Sequence, residues 1–191
     1  DGLDDLIRVE VEKTQLQTDI MEFRGDAFTI EMFVKFDTLD SNQPLISYGD
    51  ENNCWWRLEY VDSAERLEFL YVTKGSGMVK RVNIPANILK ENTWYHIVVS
   101  RNTDFNKIYI YIDGVEVGSS DETEQIDYDD TDTILYIGSN FRTNDTINEE
   151  YFTGYLQEIR VSSGCVYECA FNSLTELSNV CYEGTPTPSP S

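Results

Sequence analysis

The sequence predicts an all-β domain, a sandwich or barrel of antiparallel strands. Three observations carry that expectation. Apolar residues recur at every second position in most segments, which is the period of a half-buried strand. Asp113-Gly114 lies between two alternating arms, and this pair suits both positive-φ positions of a type I′ hairpin turn. About ten short strands fit the chain at close spacing, and no segment carries a long helical period.

In chain order, Phe28 to Phe36 sets Phe28, Ile30, Met32, Val34 and Phe36 on one face, with Thr29, Glu31, Phe33 and Lys35 on the other. Cys54 to Val61 alternates in the same way. Cys54, Trp56, Leu58 and Tyr60 share the core face, and Trp55, Arg57 and Glu59 oppose them. Arg66 to Thr73 and Met78 to Ile84 read as two short strands separated by Lys74-Gly-Ser-Gly77. Trp94 to Arg101 is apolar on both faces and belongs in the middle of a sheet. Lys107 to Val117 is the hairpin. Its Ile108, Ile110 and Ile112 oppose Tyr109 and Tyr111. Thr133 to Ser139 and Tyr151 to Ser162 complete the strands. In the last of these, Phe152, Gly154 and Leu156 keep one parity while Ile159 and Val161 keep the other. That predicts a β-bulge near Gln157-Glu158, because one extra residue moves side chains between faces. Ala86 to Glu91 and Ser173 to Leu177 are each expected to make a helical turn.

The chain has 191 residues, enough for one complete core, and its 14 Lys+Arg against 35 Asp+Glu leave a net charge of −21. Such a charge repels phosphate backbones and anionic membrane surfaces, so nucleic acid is excluded as a partner. No apolar run approaches the roughly 18 residues of a membrane helix, so no membrane insertion is expected. With 40% hydrophobic and 13% aromatic residues the chain is not expected to be disordered. It begins at Asp1 and ends in Thr185-Pro-Thr-Pro-Ser-Pro-Ser191, a polyproline-like spacer or glycosylated stalk, and so reads as one domain excised from a longer chain. Four cysteines, Cys54, Cys165, Cys169 and Cys181, fit two disulfides in an oxidising compartment, with three pairings open. Asn144-Asp-Thr146 is a candidate glycosylation acceptor.

Several segments together resemble one family. Phe28 to Phe36 resembles an early core strand of laminin G-like domains, in the concanavalin A-like superfamily, and Leu45-Ile-Ser-Tyr-Gly-Asp50 resembles the strand and turn that follow. Asn92 to Arg101 resembles the family's Trp-x-His strand, and Ile110 to Val117 its Asp-Gly hairpin. Leu135-Tyr-Ile-Gly138 and Phe152 to Val161 resemble the closing strands. The match in order and spacing runs over residues 20–165. It implies two antiparallel sheets in a jelly roll, preceded by a lead-in segment at 1–19. Relatives carry a terminal arm after the last strand. Here that arm would be 166–184, stapled by Cys181 to Cys165 or Cys169 with Cys54 taking the remaining cysteine, and 185–191 would be linker. The resemblance implies no single activity, since function lives in sites grafted onto a fold.

Candidate sites follow from residue chemistry. Sugar binding needs exposed aromatic faces beside hydrogen-bonding groups. Trp55 and Arg57 oppose the core face of one strand, and Tyr109 and Tyr111 oppose it on the hairpin; if the strands are neighbours, the four form one aromatic shelf. Calcium needs six to eight oxygens at close range. Asp127, Asp129, Asp130 and Asp132, in a stretch without a basic residue between Lys107 and Arg142, could supply several. In the family's enzymes a structural calcium often uses an Asp just before the closing strand, where this chain has Gln157. Glycoside cleavage needs two carboxylates about 5–9.5 Å apart. The Glu-x-Asp-x-x-Glu pattern of related glucanases does not occur here, and the single histidine, His96, reads as a structural residue of its strand. Arg24-Gly-Asp26 reads as a turn before the Phe28 strand rather than a recognition tripeptide.

These readings converge on a non-catalytic extracellular recognition or adhesion module that binds glycans or a protein partner. The alternative is a structural subunit of an extracellular fibre, coat or virion appendage, in which copies of the chain contact one another. A glycoside hydrolase ranks third.

Overall fold

The computed structural model describes residues 7–10, 23, 25–49, 54–74, 76–126, 134–139 and 150–167, with the backbone alone described at 7–10 and 54. The described residues form eleven strands: β1 (Ile7–Glu10), β2 (Phe28–Phe36), β3 (Gln43–Gly49), β4 (Cys54–Val61), β5 (Arg66–Val72), β6 (Val79–Asn83), β7 (Trp94–Asn102), β8 (Lys107–Ile112), β9 (Val115–Asp121), β10 (Ile134–Ile137) and β11 (Gly154–Ser163). They form a six-stranded sheet in the order β1-β10-β3-β4-β5-β6 and a five-stranded sheet in the order β11-β2-β7-β8-β9. Every pairing is antiparallel. The fold is thus the antiparallel two-sheet sandwich expected of a concanavalin A-like jelly roll. No described residue is in an α-helix. The expected helical turn over Ala86 to Glu91 is absent, because Asn87 takes a left-handed φ of 63° that a helix cannot accommodate. Ser173 to Leu177 lies outside the described residues.

The period-two pattern assigns the core. Phe28, Ile30, Met32, Val34 and Phe36 of β2 meet Trp56, Leu58 and Tyr60 of β4 and Leu67, Phe69 and Tyr71 of β5 between the sheets. Phe23, ahead of β2, stacks on Phe28 at 3.8 Å and on Trp56 at 5.0 Å. Each such side chain contributes about 1.5–3 kcal/mol by leaving water. β7 is central in its sheet, and its residues from Tyr95 to Asn102 are buried on both faces. The hairpin turn has φ of 50° at Asp113 and 79° at Gly114, as type I′ requires. The Asp113 carboxylate accepts from the His96 amide at 2.9 Å, which ties the turn to β7.

The bulge lies where the parity change puts it. The β11–β2 register shifts between Gln157 and Arg160, and Glu158 takes a φ of 50°. Leu156, Ile159 and Val161 therefore all pack on the core. Arg160 turns to the outer face opposite Glu31. At one side of the sandwich the two sheets meet closely: a Cβ at Gly118 of β9 would collide with the Asn83 carbonyl oxygen of β6.

Candidate functional site

The shelf expected from Trp55, Arg57, Tyr109 and Tyr111 does not form. β4 belongs to the six-stranded sheet and β8 to the five-stranded sheet, so the two pairs lie on opposite sides of the sandwich. Trp55 is only 8% exposed and Tyr111 only 1%. Arg57 is engaged with Glu59 at 2.8 Å, and Tyr109 stacks on Tyr111 at 5.9 Å. Alternation fixes which side of a strand a residue occupies. It does not fix which sheet the strand joins or what packs over that sheet's outer face.

Among the described residues Cys165 is a free thiol. Its Sγ lies 3.2 Å from Ser100 Oγ and donates to the Tyr167 carbonyl at 3.0 Å, so the residue is held by hydrogen bonds on the sheet. The Cys54 side chain, Cys169, Cys181, Asn144 and the acids Asp127, Asp129, Asp130 and Asp132 lie outside the described residues. Among the described residues no three His, Cys, Asp or Glu side chains are grouped to hold a metal ion.

A different aromatic row stands open, on the outer face of the five-stranded sheet. Tyr155 of β11 pairs in register with Lys35 of β2, and Lys35 with Trp94 of β7. All three therefore project from one line across adjacent strands. Tyr155 is 53% exposed and Trp94 40%. Their rings lean together, with centroids 6.3 Å apart and planes tilted by 54°. The Lys35 ammonium lies 4.1 Å from the Tyr155 ring centroid and 5.9 Å from that of Trp94. Cation–π contacts of this exposed kind contribute about 0.5–1 kcal/mol. Gly154 lets β11 reach this position: its φ is 151°, and a Cβ there would collide with the Lys35 carbonyl oxygen. The sequence had already placed Lys35 away from the core and Trp94 on the parity of His96. What it lacked was the register joining β11, β2 and β7, which brings the three together.

The next positions on the same face are covered. Phe33 stacks on His96 at 4.8 Å. Beyond them Glu31, whose side chain has no exposed surface, accepts from Arg160 Nε at 2.6 Å and from the Tyr167 hydroxyl at 2.8 Å, with His96 Nε2 at 3.3 Å. A second guanidinium nitrogen of Arg160 also contacts it. Burial pushes the Glu31 carboxyl up, but hydrogen bonds from His96, Tyr167 and Arg160 outweigh burial and hold it below its ordinary value. Burial, reinforced by the bond to Glu31, pushes the Tyr167 hydroxyl well above its ordinary value. The chain after β11 crosses this face: the Gly164 amide donates to the Ala27 carbonyl at 2.7 Å and the Val166 amide to Thr29 Oγ1 at 3.0 Å.

On the opposite sheet Glu59 and Glu68 face each other in register. Arg57 holds Glu59, while Arg66 at 2.9 Å and Arg81 at 3.4 Å hold Glu68. Burial, partly offset by Arg57, raises the Glu59 carboxyl above its ordinary value. These carboxylates are neutralised side by side rather than aimed across a bond to be cleaved. His96, buried against Glu31, is closed to a substrate.

Comparison with known proteins agrees with the architecture. A laminin G family profile, described as the concanavalin A-like lectin/glucanases superfamily, matches residues 11–168. No curated protein matches the chain. Among solved structures, the CBM40 module of Ruminococcus gnavus IT-sialidase, bound to α2,3-sialyllactose, is similar with a TM-score of 0.61 at 12% identity, over 86% of this chain and 92% of that one. The heptameric SAP-like pentraxin of Limulus polyphemus is similar with a TM-score of 0.53 at 16% identity, over 75% and 68%. A leech intramolecular trans-sialidase is similar with a TM-score of 0.64 at 12% identity, but this chain covers only 26% of it. At these identities the likeness is one of fold.

Proposed function

The chain belongs to the concanavalin A-like lectin/glucanase superfamily, and from that premise we propose that it is a non-catalytic, extracellular module that binds glycans. The exposed Trp94–Lys35–Tyr155 row carries this reading. A pyranose presents an apolar C–H face that removes aromatic surface from water, while neighbouring polar groups fix its orientation. The row offers two tilted rings and a donor on a rigid sheet, so little ordering is needed on binding. The fold likeness to a carbohydrate-binding module and a pentraxin supports a sugar partner in general. The carboxylates brought together on the other sheet are charge-paired, which supports a binding role over a hydrolytic one.

The test is a glycan array, with and without added calcium, followed by calorimetry on the best sugar with wild type and Trp94→Ala. The expected result is binding by wild type and at least about a tenfold loss in the variant, the equivalent of 1.4 kcal/mol. An unbound array, or equal affinity in the variant, overturns the proposal.

A further inference from the structure

We infer that the Trp94–Lys35–Tyr155 row selects acidic saccharides, sugars bearing a carboxylate or a sulfate, with Lys35 as the group that meets the anion. The inference rests on the glycan-binding reading above and adds the ligand's charge to it. In a chain with 35 acidic and 14 basic side chains, cations are readily consumed by internal pairing. Arg57, Arg66, Lys80, Arg81, Lys107 and Arg160 each have a carboxylate within 4 Å. Lys35 is placed differently. Among the described residues its ammonium meets two aromatic rings and no carboxylate within ion-pair distance. A ring face attracts an ammonium without cancelling its charge. An ammonium carries three donors, so the contact leaves hydrogen-bonding capacity for a ligand. Lys35 is thus a positive charge kept within an exposed aromatic surface.

The rest of the molecule sharpens the selection. A net charge of −21 repels anions in general, and at physiological ionic strength that field fades over about 8 Å. An anion alone gains one contact against this repulsion. An acidic sugar gains the pairing with Lys35 together with ring contact on Trp94 or Tyr155. Selection therefore falls on ligands that carry both features.

Calorimetry with three probes tests this: lactose, 3′-sulfolactose and 3′-sialyllactose. The last two separate sulfate from carboxylate as the source of the charge. Wild type is expected to bind at least one acidic probe about tenfold more tightly than lactose, a difference of about 1.4 kcal/mol. Lys35→Met, which keeps an unbranched stem beneath the rings, is expected to lose the preference for the acidic probe over lactose. Lys35→Arg is expected to retain it. Near-ultraviolet circular dichroism checks that both variants keep the Trp94 environment. A wild-type preference for lactose overturns the inference without any variant, and so does a preference that survives in Lys35→Met; either result leaves glycan binding standing. Failure of all three probes overturns the inference while the array decides the glycan reading, and failure of Trp94→Ala to weaken any of them removes both together.

Discussion

Two ends of one sheet face treat the same three strands in opposite ways. At one end, Glu31 of β2 meets Arg160 of β11 and His96 of β7, and residues 164–167 close over them. At the other end, Lys35 of β2 lies between Tyr155 of β11 and Trp94 of β7 with no such cover. Both ends hold a charged side chain on the middle strand. The covered charge is saturated by hydrogen bonds from its own chain, which is the condition for burying an ion at tolerable cost. The open charge is held by rings and stays in contact with solvent. The contrast implies a division of labour, with the covered end contributing fold stability and the open end available for recognition.

The largest expected effect is at the covered end. Glu31→Ala leaves Arg160 and His96 without their shared carboxylate and should cost about 3 kcal/mol in urea unfolding, the lower end of the range for broken buried pairs because Arg160 is 32% exposed. The same substitution should leave sugar affinity within about twofold. A loss of affinity matching that of Trp94→Ala would break the division between the two ends.

Acid titration gives an intermediate effect. Glu31 is held below its ordinary pKa of 4.5, so the stability its ionised form contributes is present above that value and is lost as pH falls through the lower folded one. The melting temperature of wild type should therefore drop below pH 4.5 more steeply than that of Glu31→Gln. Glu59, raised by burial, has the opposite sign: its contribution is present below 4.5 and is lost as pH rises through its folded value. Glu59→Gln should accordingly lose nothing at pH 7. Parallel curves for wild type and Glu31→Gln would show that the covered carboxylate is not the acid-sensitive group.

The smallest expected effect is at the open end. Trp94→Ala should change unfolding free energy by no more than about 0.5 kcal/mol, as for a surface substitution, while removing sugar binding. A larger loss would make Trp94 part of the fold rather than a surface held for a ligand.

Most of the architecture was legible in the sequence because alternation, turn chemistry and parity are local. Asp113-Gly114 gave the hairpin, the double-sided apolar run of β7 gave its central place, and the parity change around Gln157-Glu158 gave the bulge. The site was less legible because it depends on relations between distant segments. Trp55 and Tyr111 have the outward parity of a binding surface, yet both are buried. The sequence set only Lys35 opposite the core face, and 59 residues separate Lys35 from Trp94 and 61 separate Trp94 from Tyr155. Only the pairing of β11 and β7 on either side of β2 makes them one row.

The bulge in β11 carries one residue more than plain alternation needs. Removing Glu158 would restore plain alternation and leave Ile159 and Val161 facing the core and Arg160 facing out, whereas removing a residue from a regular strand such as β2 would exchange the occupants of its two faces beyond the cut. The same deletion in the exposed Thr103–Asn106 turn would be absorbed by the connection. Deletions in related chains should therefore gather at such turns and at the bulge and avoid the regular strands, where a single codon sets which side chains meet water.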